Sequence, residues 1–359
     1  MSHYERRLTQ DLEAIREAIN LVGKGVASGL ERCVRAVRTD DRDMLYEIAV
    51  DDLAINRQIR AIDELCHAFV ARHLPAAKHL RFISSVLRMT IALERAGDYA
   101  VTISRVVLQL ETPLGDDMIK QISDMAEMAW GMLEAAVRAF LEADVELART
   151  TKRVGKRIDR LYDEHFQALI DDASQRPALQ QASLLKIFGK IERFSDQGKN
   201  ICDEAMFVAT GELKAPRVFR ILFYDERNDL ASQLAAALAA KQFPDAGVYS
   251  SAGWAPASAP HPELASVADR FVLTVTRPRL ATEFAESPVE YHVVVAINAE
   301  HEQLPHIPYH TILLRWNDIP VPAADTPPEA RAAALDALVR ELNAHLSSLM
   351  ERLRGTDPS

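Results

Sequence analysis

The sequence predicts an all-α N-terminal part made of two three-helix repeats, followed by a C-terminal α/β domain with a small parallel sheet. Proline usage divides the chain, because only Pro75, Pro113 and Pro177 of the 17 prolines precede residue 215. Long helices exclude interior proline, whereas the connections of an α/β domain accept it. A Glu-Arg-x-x-Asp stretch that begins at Glu94 recurs at Glu192. This recurrence within the helical part indicates a duplicated unit.

The N-terminal part shows apolar residues at helical spacing, interrupted where proline or acidic capping residues occur. The pattern predicts six helices over residues 4–37, 41–73, 77–111, 116–142, 145–173 and 178–210. Asp41 and Asp144 precede two of these helices and are predicted N-caps. We expect two antiparallel three-helix bundles joined end to end, with domain bounds of 1–112 and 113–213.

The C-terminal part, residues 217–359, alternates apolar runs with helical patterns, which is typical of a parallel sheet. The predicted strands are 218–224, 247–250, 271–275, 291–297 and 311–314, and the predicted helices are 229–241 and 331–354.

Composition narrows the class of protein. The 359 residues carry a net charge of −10, so no surplus of Lys and Arg is present for binding nucleic acid. No apolar run approaches the length of a membrane span. The three cysteines have no CxxC spacing, which favours reduced thiols and a cytoplasmic location.

The repeated stretch places two carboxylates on one helix face, Glu94 with Asp98 and Glu192 with Asp196. Each pair lies within an apolar stripe, where paired carboxylates need a compensating cation or proton. All-oxygen sites suit Mg²⁺, Mn²⁺ or iron, so the pairs are candidate metal ligands. The alternative is that each pair is neutralised by internal ion pairs, for which the sequence offers Arg95, Arg105, Arg193 and Lys199.

The segments LERAGDYAVTIS (93–104) and IERFSDQGKNICDEAMFVATGE (191–212) resemble the two signature segments of the PhoU family. The resemblance covers about residues 1–213 and extends to residues 51–66 and 155–170, where Asn56 and Asp159 occupy corresponding positions. It implies a six-helix protein that binds metal ions, mononuclear or clustered, at Glu94, Asp98, Glu192 and Asp196. It also implies Asp159, Asn200 and Asp203 as supporting groups. In the first repeat the corresponding positions hold Asn56, Thr102 and Arg105, so we expect the second repeat to be the better site.

The family resemblance implies a cytoplasmic regulator of phosphate uptake and phosphate signalling that acts by protein contacts, without catalysis. Its expected partners are the ATPase of a phosphate ABC transporter and a sensor histidine kinase, and it would reach the membrane only through them. A homodimer is expected.

The C-terminal domain is similar to the low-molecular-weight tyrosine phosphatase and arsenate reductase family through Ser232–Ala235 and Tyr249–Gly253. Asp225 stands where that family has its nucleophilic cysteine, Ala231 where it has its anion-binding arginine, and Val321 where it has its general acid. We therefore expect an inactive binding or dimerising module. The competing functions are a phosphatase or arsenate reductase and a metal-storage or redox helical protein.

Overall fold

The computed structural model describes residues 3–110, 112–172, 176–212, 217–280, 291–300, 311–322 and 326–354. The chain divides into two compact units, Met1–Lys214 and Ala215–Ser359. No helix in these ranges is long and apolar enough to cross a membrane.

The first unit is all-helical, as predicted. Its six helices are α1 (His3–Thr39), α2 (Arg42–His73), α3 (Ala77–Leu108), α4 (Asp116–Glu142), α5 (Val145–Asp171) and α6 (Ala178–Thr210). The predicted N-caps form, because the Asp41 carboxylate accepts from the Met44 N–H and the Asp144 carboxylate from the Leu147 N–H.

The two three-helix repeats lie side by side, and the expectation that they are joined end to end is wrong. Helix α3 packs along α6, and α1 packs along α4. Both repeats contribute to one apolar core, which includes Phe69, Phe140 and Phe188. The third helices α3 and α6 bury residues over a wide part of their circumference, including Ala92, Leu93 and Ala96 of α3, because neighbours from both repeats cover them. The third helices, which carry the carboxylate pairs, are therefore neighbours at the centre of the unit.

The second unit contains a four-stranded parallel sheet, which confirms the predicted α/β class. Its elements are β1 (Phe219–Asp225), α7 (Ala231–Gln242), β2 (Gly247–Gly253), α8 (Pro262–Phe271), β3 (Val293–Ile297), β4 (Ile312–Trp316) and α9 (Pro328–Arg354). The strand order is β2-β1-β3-β4. Side chains on one face of the sheet pack into a core with α7, α8 and α9.

The predicted strand over Phe271–Val275 is wrong. Phe271 is the last residue of α8, and Val272 adopts a left-handed conformation with φ of 51° that ends the helix. The only sheet-like contact of the following segment, among the described residues, is a single bridge from Leu280 to Gly253. The apolar run over Phe271–Val275 therefore belongs to the end of a helix and to a connection without regular secondary structure. Helix α8, whose first turn contains Pro262, was not predicted from the sequence.

Candidate metal centres and the C-terminal loop

The second carboxylate pair meets a third acid from a neighbouring helix. Glu192 and Asp196 lie one turn apart on α6, and Asp159 approaches them from α5. One oxygen from each of the three carboxylates lies within 4.8 Å of the others. The side chains of Glu192 and Asp196 are 15% and 27% exposed. The structure therefore brings the predicted pair Glu192 and Asp196 together with Asp159.

Two internal cations also contact this cluster. The Lys199 Nζ lies 2.7 and 2.9 Å from the two Asp159 oxygens and 2.7 Å from Asp196 Oδ1. Arg193 lies 3.4 Å from an oxygen of Glu192 and 3.4 Å from one of Asp196. The internal ion pairs that the sequence left open as an alternative are therefore present in the second repeat.

These contacts do not fully compensate Glu192. Burial, followed by the charge of Asp196, raises the pKa of Glu192 to about 7, against the opposing effects of Arg193 and Lys199. Burial by itself would lower the pKa of Lys199. The hydrogen bonds that Lys199 donates to Asp159 and Asp196, together with their charges, outweigh burial and raise the pKa of Lys199. The cluster thus holds a tightly bound ammonium group beside a carboxyl group that retains its proton to near-neutral pH.

The first repeat builds a different cluster. Glu94 and Asp98 are exposed on α3, and Asp52 of α2 lies against Gly97, where the charges of both acids act on it. A Cβ on residue 97 would lie 2.6 Å from Asp52 Oδ1, so the close approach requires glycine. Burial, then the charge of Asp98, raises the pKa of the Asp52 carboxyl, with a smaller contribution from Glu94.

Asp52 is 8% exposed and its oxygens are unequally satisfied. One oxygen accepts from the Asn56 amide at 2.9 Å, whereas Oδ1 is buried and has no hydrogen-bond partner. The Oδ1 of Asn56 is also buried without a partner. Both orphaned atoms are acceptors, and buried acceptors of this kind require a donor or a cation. Asp52 and Gly97 line a groove of about 420 Å³ between α1, α2 and α3.

The remaining predicted residues lie elsewhere. Asn200 donates to Gln197, and Asp203 forms an ion pair with Lys152. Both line the groove between α3 and α6, and Asp203 is not among the acids that converge at Asp159. Thr102 donates to the Asp98 carbonyl at 2.8 Å. The structure therefore joins Asp159 to the predicted pair and separates Asn200 and Asp203 from it.

The structure adds one residue that the sequence analysis did not select as a ligand. Asp52 lies in the segment 51–66 that carries part of the family resemblance, but it was not among the predicted ligands. A carboxylate at an inward position of an amphipathic helix, one turn before Asn56, was the available signal. Its convergence with Asp98 depends on the packing of α2 against α3.

In the second unit, a carboxylate accepts hydrogen bonds from backbone N–H groups of the segment that joins β1 to α7. Asp225 Oδ1 accepts from the Asn228 N–H at 2.6 Å, and Oδ2 accepts from the Ser232 N–H at 2.8 Å. Burial raises the pKa of Asp225, and these bonds oppose the rise. The loop is closed by Asn228, whose side chain donates to the Ser232 hydroxyl at 2.8 Å. One backbone donor of the loop, Asn228, and one of the first turn of α7, Ser232, are thus satisfied internally.

The fold and the first-unit clusters define a class of protein, a tandem three-helix repeat with a paired-carboxylate motif on each third helix. A family model described as PhoU domain matches residues 19–107 and again 122–205, which confirms the predicted duplication. The chain belongs to the PhoU family.

Two relatives illustrate the extent of the match. The phosphate-specific transport system accessory protein PhoU homolog of Pseudomonas putida is 30% identical over 215 residues, which are 58% of this chain and 83% of that protein. The crystal structure of the phosphate transport system regulatory protein PhoU from Streptococcus pneumoniae has a TM-score of 0.54 at 28% identity and covers 58% of this chain and 99% of its own. The C-terminal unit lies outside these matches. An arsenate reductase from Archaeoglobus fulgidus, at 20% identity, has a TM-score of only 0.30 and covers 36% of this chain.

Proposed function

We propose that this protein is a non-enzymatic regulator of phosphate uptake and of phosphate-responsive signalling. The observation that carries the proposal is the tandem helical repeat, which covers 83% of a relative described as a phosphate-specific transport system accessory protein. The proposed partners are the ATPase subunit of a phosphate ABC transporter and a sensor histidine kinase, and the proposed location is the cytoplasm. Long amphipathic helices offer broad surfaces for such contacts. A homodimer remains part of the proposal.

We also propose a metal ion at the first cluster. The support for this proposal is Asp52, which is buried with an unsatisfied oxygen, lies within the influence of the charges of Asp98 and Glu94, and is opposed by Arg105. The oxygens of these three acids do not converge as closely as those of Asp159, Glu192 and Asp196, so an ion would have to draw them together. Mg²⁺, Mn²⁺ and iron all accept carboxylate oxygens. When bound, the metal would neutralise the acids and join α2 to α3. In the second cluster, Asp159, Glu192 and Asp196 supply the donor set, but Lys199 already contacts two of them.

The loop at Asp225 supports a non-catalytic role for the second unit. A phosphatase of the resembled type needs a thiolate, an arginine and free backbone donors for the oxyanion. Here Asp225 and Ala231 replace the two side chains, and the Asp225 carboxylate takes the Asn228 and Ser232 donors. The alternative function as a phosphatase or arsenate reductase predicts turnover of a phosphomonoester or arsenate by the full chain, with or without Mn²⁺.

The function is tested in a bacterium from which its own PhoU-family gene has been deleted. We expect the full chain to restore phosphate-dependent control of uptake and of a phosphate-starvation reporter. Immobilised full chain should also retain the purified transporter ATPase and the cytoplasmic part of the kinase. Failure to restore control, together with no retention of either partner, would refute the regulatory role.

A further inference from the structure

Among the differences between the two carboxylate clusters, one concerns the position three residues after the second acid of each pair. Lys199 follows Asp196 by three residues, and the residue that follows Asp98 by three is Val101. The first cluster therefore has no lysine at the position where the second has one. The inference below rests on the metal component of the proposed function.

The Lys199 ammonium group is fully engaged by the cluster. It has three N–H donors, and three carboxylate oxygens lie within 2.9 Å of Nζ, two from Asp159 and one from Asp196. Bonds between ionised groups are about twice as strong as neutral ones, and this set is only 21% exposed at the lysine. A metal entering between these acids would have to displace the ammonium group from all three oxygens.

The surrounding helix accommodates the lysine. Gly155 of α5 lies directly beside its stem, and a Cβ at residue 155 would be 3.0 Å from both Cγ and Cε of Lys199. A side chain at position 155 would therefore push the lysine stem aside. The bond to Asp159, one turn further along α5, then fixes the end of the lysine.

We propose that Lys199 occupies the second cluster in place of a metal ion, so that the second repeat of this protein binds metal only weakly. The residues of the second cluster have the composition of a metal site, but their charge is met within the protein. This reverses the sequence-based expectation that the second repeat is the better site. The functional consequence is that the two repeats, although duplicated, respond differently to metal.

The test is titration of the metal-depleted full chain with Mn²⁺ alone, followed by electron paramagnetic resonance and calorimetry. A Glu94→Gln/Asp98→Asn background disables the first cluster, so that binding to the second is seen by itself. In that background, Lys199→Met should bind one Mn²⁺ at least tenfold more tightly than the unchanged lysine form. Adding Asp196→Asn to Lys199→Met should abolish this gain. Lys199→Val, which copies Val101, serves as a second variant, and circular dichroism checks that each folds.

Lys190→Met is the matched control. Lys190 is two residues from Glu192, but its ammonium group lies over the Tyr99 ring, 4.8 Å from the centroid. The Lys190→Met variant removes the same charge from the same helix as Lys199→Met. A gain in Mn²⁺ affinity that is confined to the Lys199 variants therefore supports direct occupancy of the cluster by the Lys199 ammonium group. An equal gain from Lys190→Met would overturn it.

Other results distinguish the two proposals. If the first-cluster background already binds Mn²⁺ as tightly as its Lys199→Met form, the lysine inference is wrong and the metal proposal survives. If the unchanged protein and every Lys199 variant bind no Mn²⁺, both the metal proposal and the inference are wrong.

Discussion

Replacing Glu192 by glutamine should stabilise the metal-free protein, and the gain should depend on pH. The pKa of Glu192 is raised from 4.5 to about 7, chiefly by burial and then by Asp196. Between these values the folded protein holds a proton that the unfolded chain has lost. The stability contributed by the protonated carboxyl is therefore present at low pH and is lost as the pH rises from about 4.5 to about 7. The full pKa difference corresponds to a loss of about 3 kcal/mol in the free energy of unfolding, and solvent screening reduces this loss to about 1–2 kcal/mol.

Glutamine cannot ionise, so Glu192→Gln should escape this loss. In buffer with chelator, the variant should gain about 1–2 kcal/mol over the unchanged protein on going from pH 5 to pH 8. For a helical unit of this size, the melting temperature should rise by about 2–6 °C. The measurement is urea and thermal unfolding followed by helical circular dichroism at both pH values.

The matched control is Glu134→Gln, which changes an exposed carboxylate on α4. It should produce the same small effect at pH 5 and pH 8. The groups that face Glu192 are Asp159, Asp196, Arg193 and Lys199, and none of them is altered in either variant. A Glu192→Gln effect that is independent of pH, or equal to that of Glu134→Gln, would refute the assignment of a destabilising buried charge.

Three further outcomes test other parts of the structure. Gly97→Ala should displace the Asp52 carboxylate and weaken Mn²⁺ binding to the first cluster by tenfold or more, as measured by calorimetry. The control Gly131→Ala adds a Cβ with no neighbour within 4 Å, so it should leave Mn²⁺ binding unchanged and stabilise the helix by about 0.5–1 kcal/mol. Asp225→Ala should leave two backbone N–H groups unsatisfied and lower the unfolding free energy of the second unit by about 2 kcal/mol. The control Glu226→Ala changes an exposed carboxylate and should leave the unfolding free energy nearly unchanged, so equal effects would contradict the role of the Asp225 carboxylate. Burial raises the pKa of the thiols of Cys33, Cys66 and Cys202 to about 11 or 12. At pH 8 the folded protein should therefore react with a thiol reagent far more slowly than the urea-unfolded chain. Rapid labelling of the folded protein would contradict the burial of these cysteines.

Much of the fold follows from local sequence. Helical periodicity, proline placement and the caps at Asp41 and Asp144 predicted the six helices to within a few residues, because these signals act through the backbone of each helix itself. The strand predicted at Phe271–Val275 failed because a short apolar run does not distinguish a strand from the end of an amphipathic helix. The predicted arrangement of the repeats was also wrong, since the pattern shows which part of a helix is apolar but not which other helix covers it.

The candidate sites divide in the same way. The spacing of Glu192 and Asp196 along α6 places them on one face wherever that helix lies, so the sequence alone determined that each repeat presents a carboxylate pair. Which charges meet that pair depends on contacts between helices distant in the chain. The packing of α5 against α6 brings Asp159 to the Lys199 ammonium group, and the packing of α2 against α3 buries Asp52 beside Asp98. Only the tertiary structure decided that one cluster is met by an internal lysine and the other keeps an unsatisfied oxygen, because electrostatic compensation depends on distance in space.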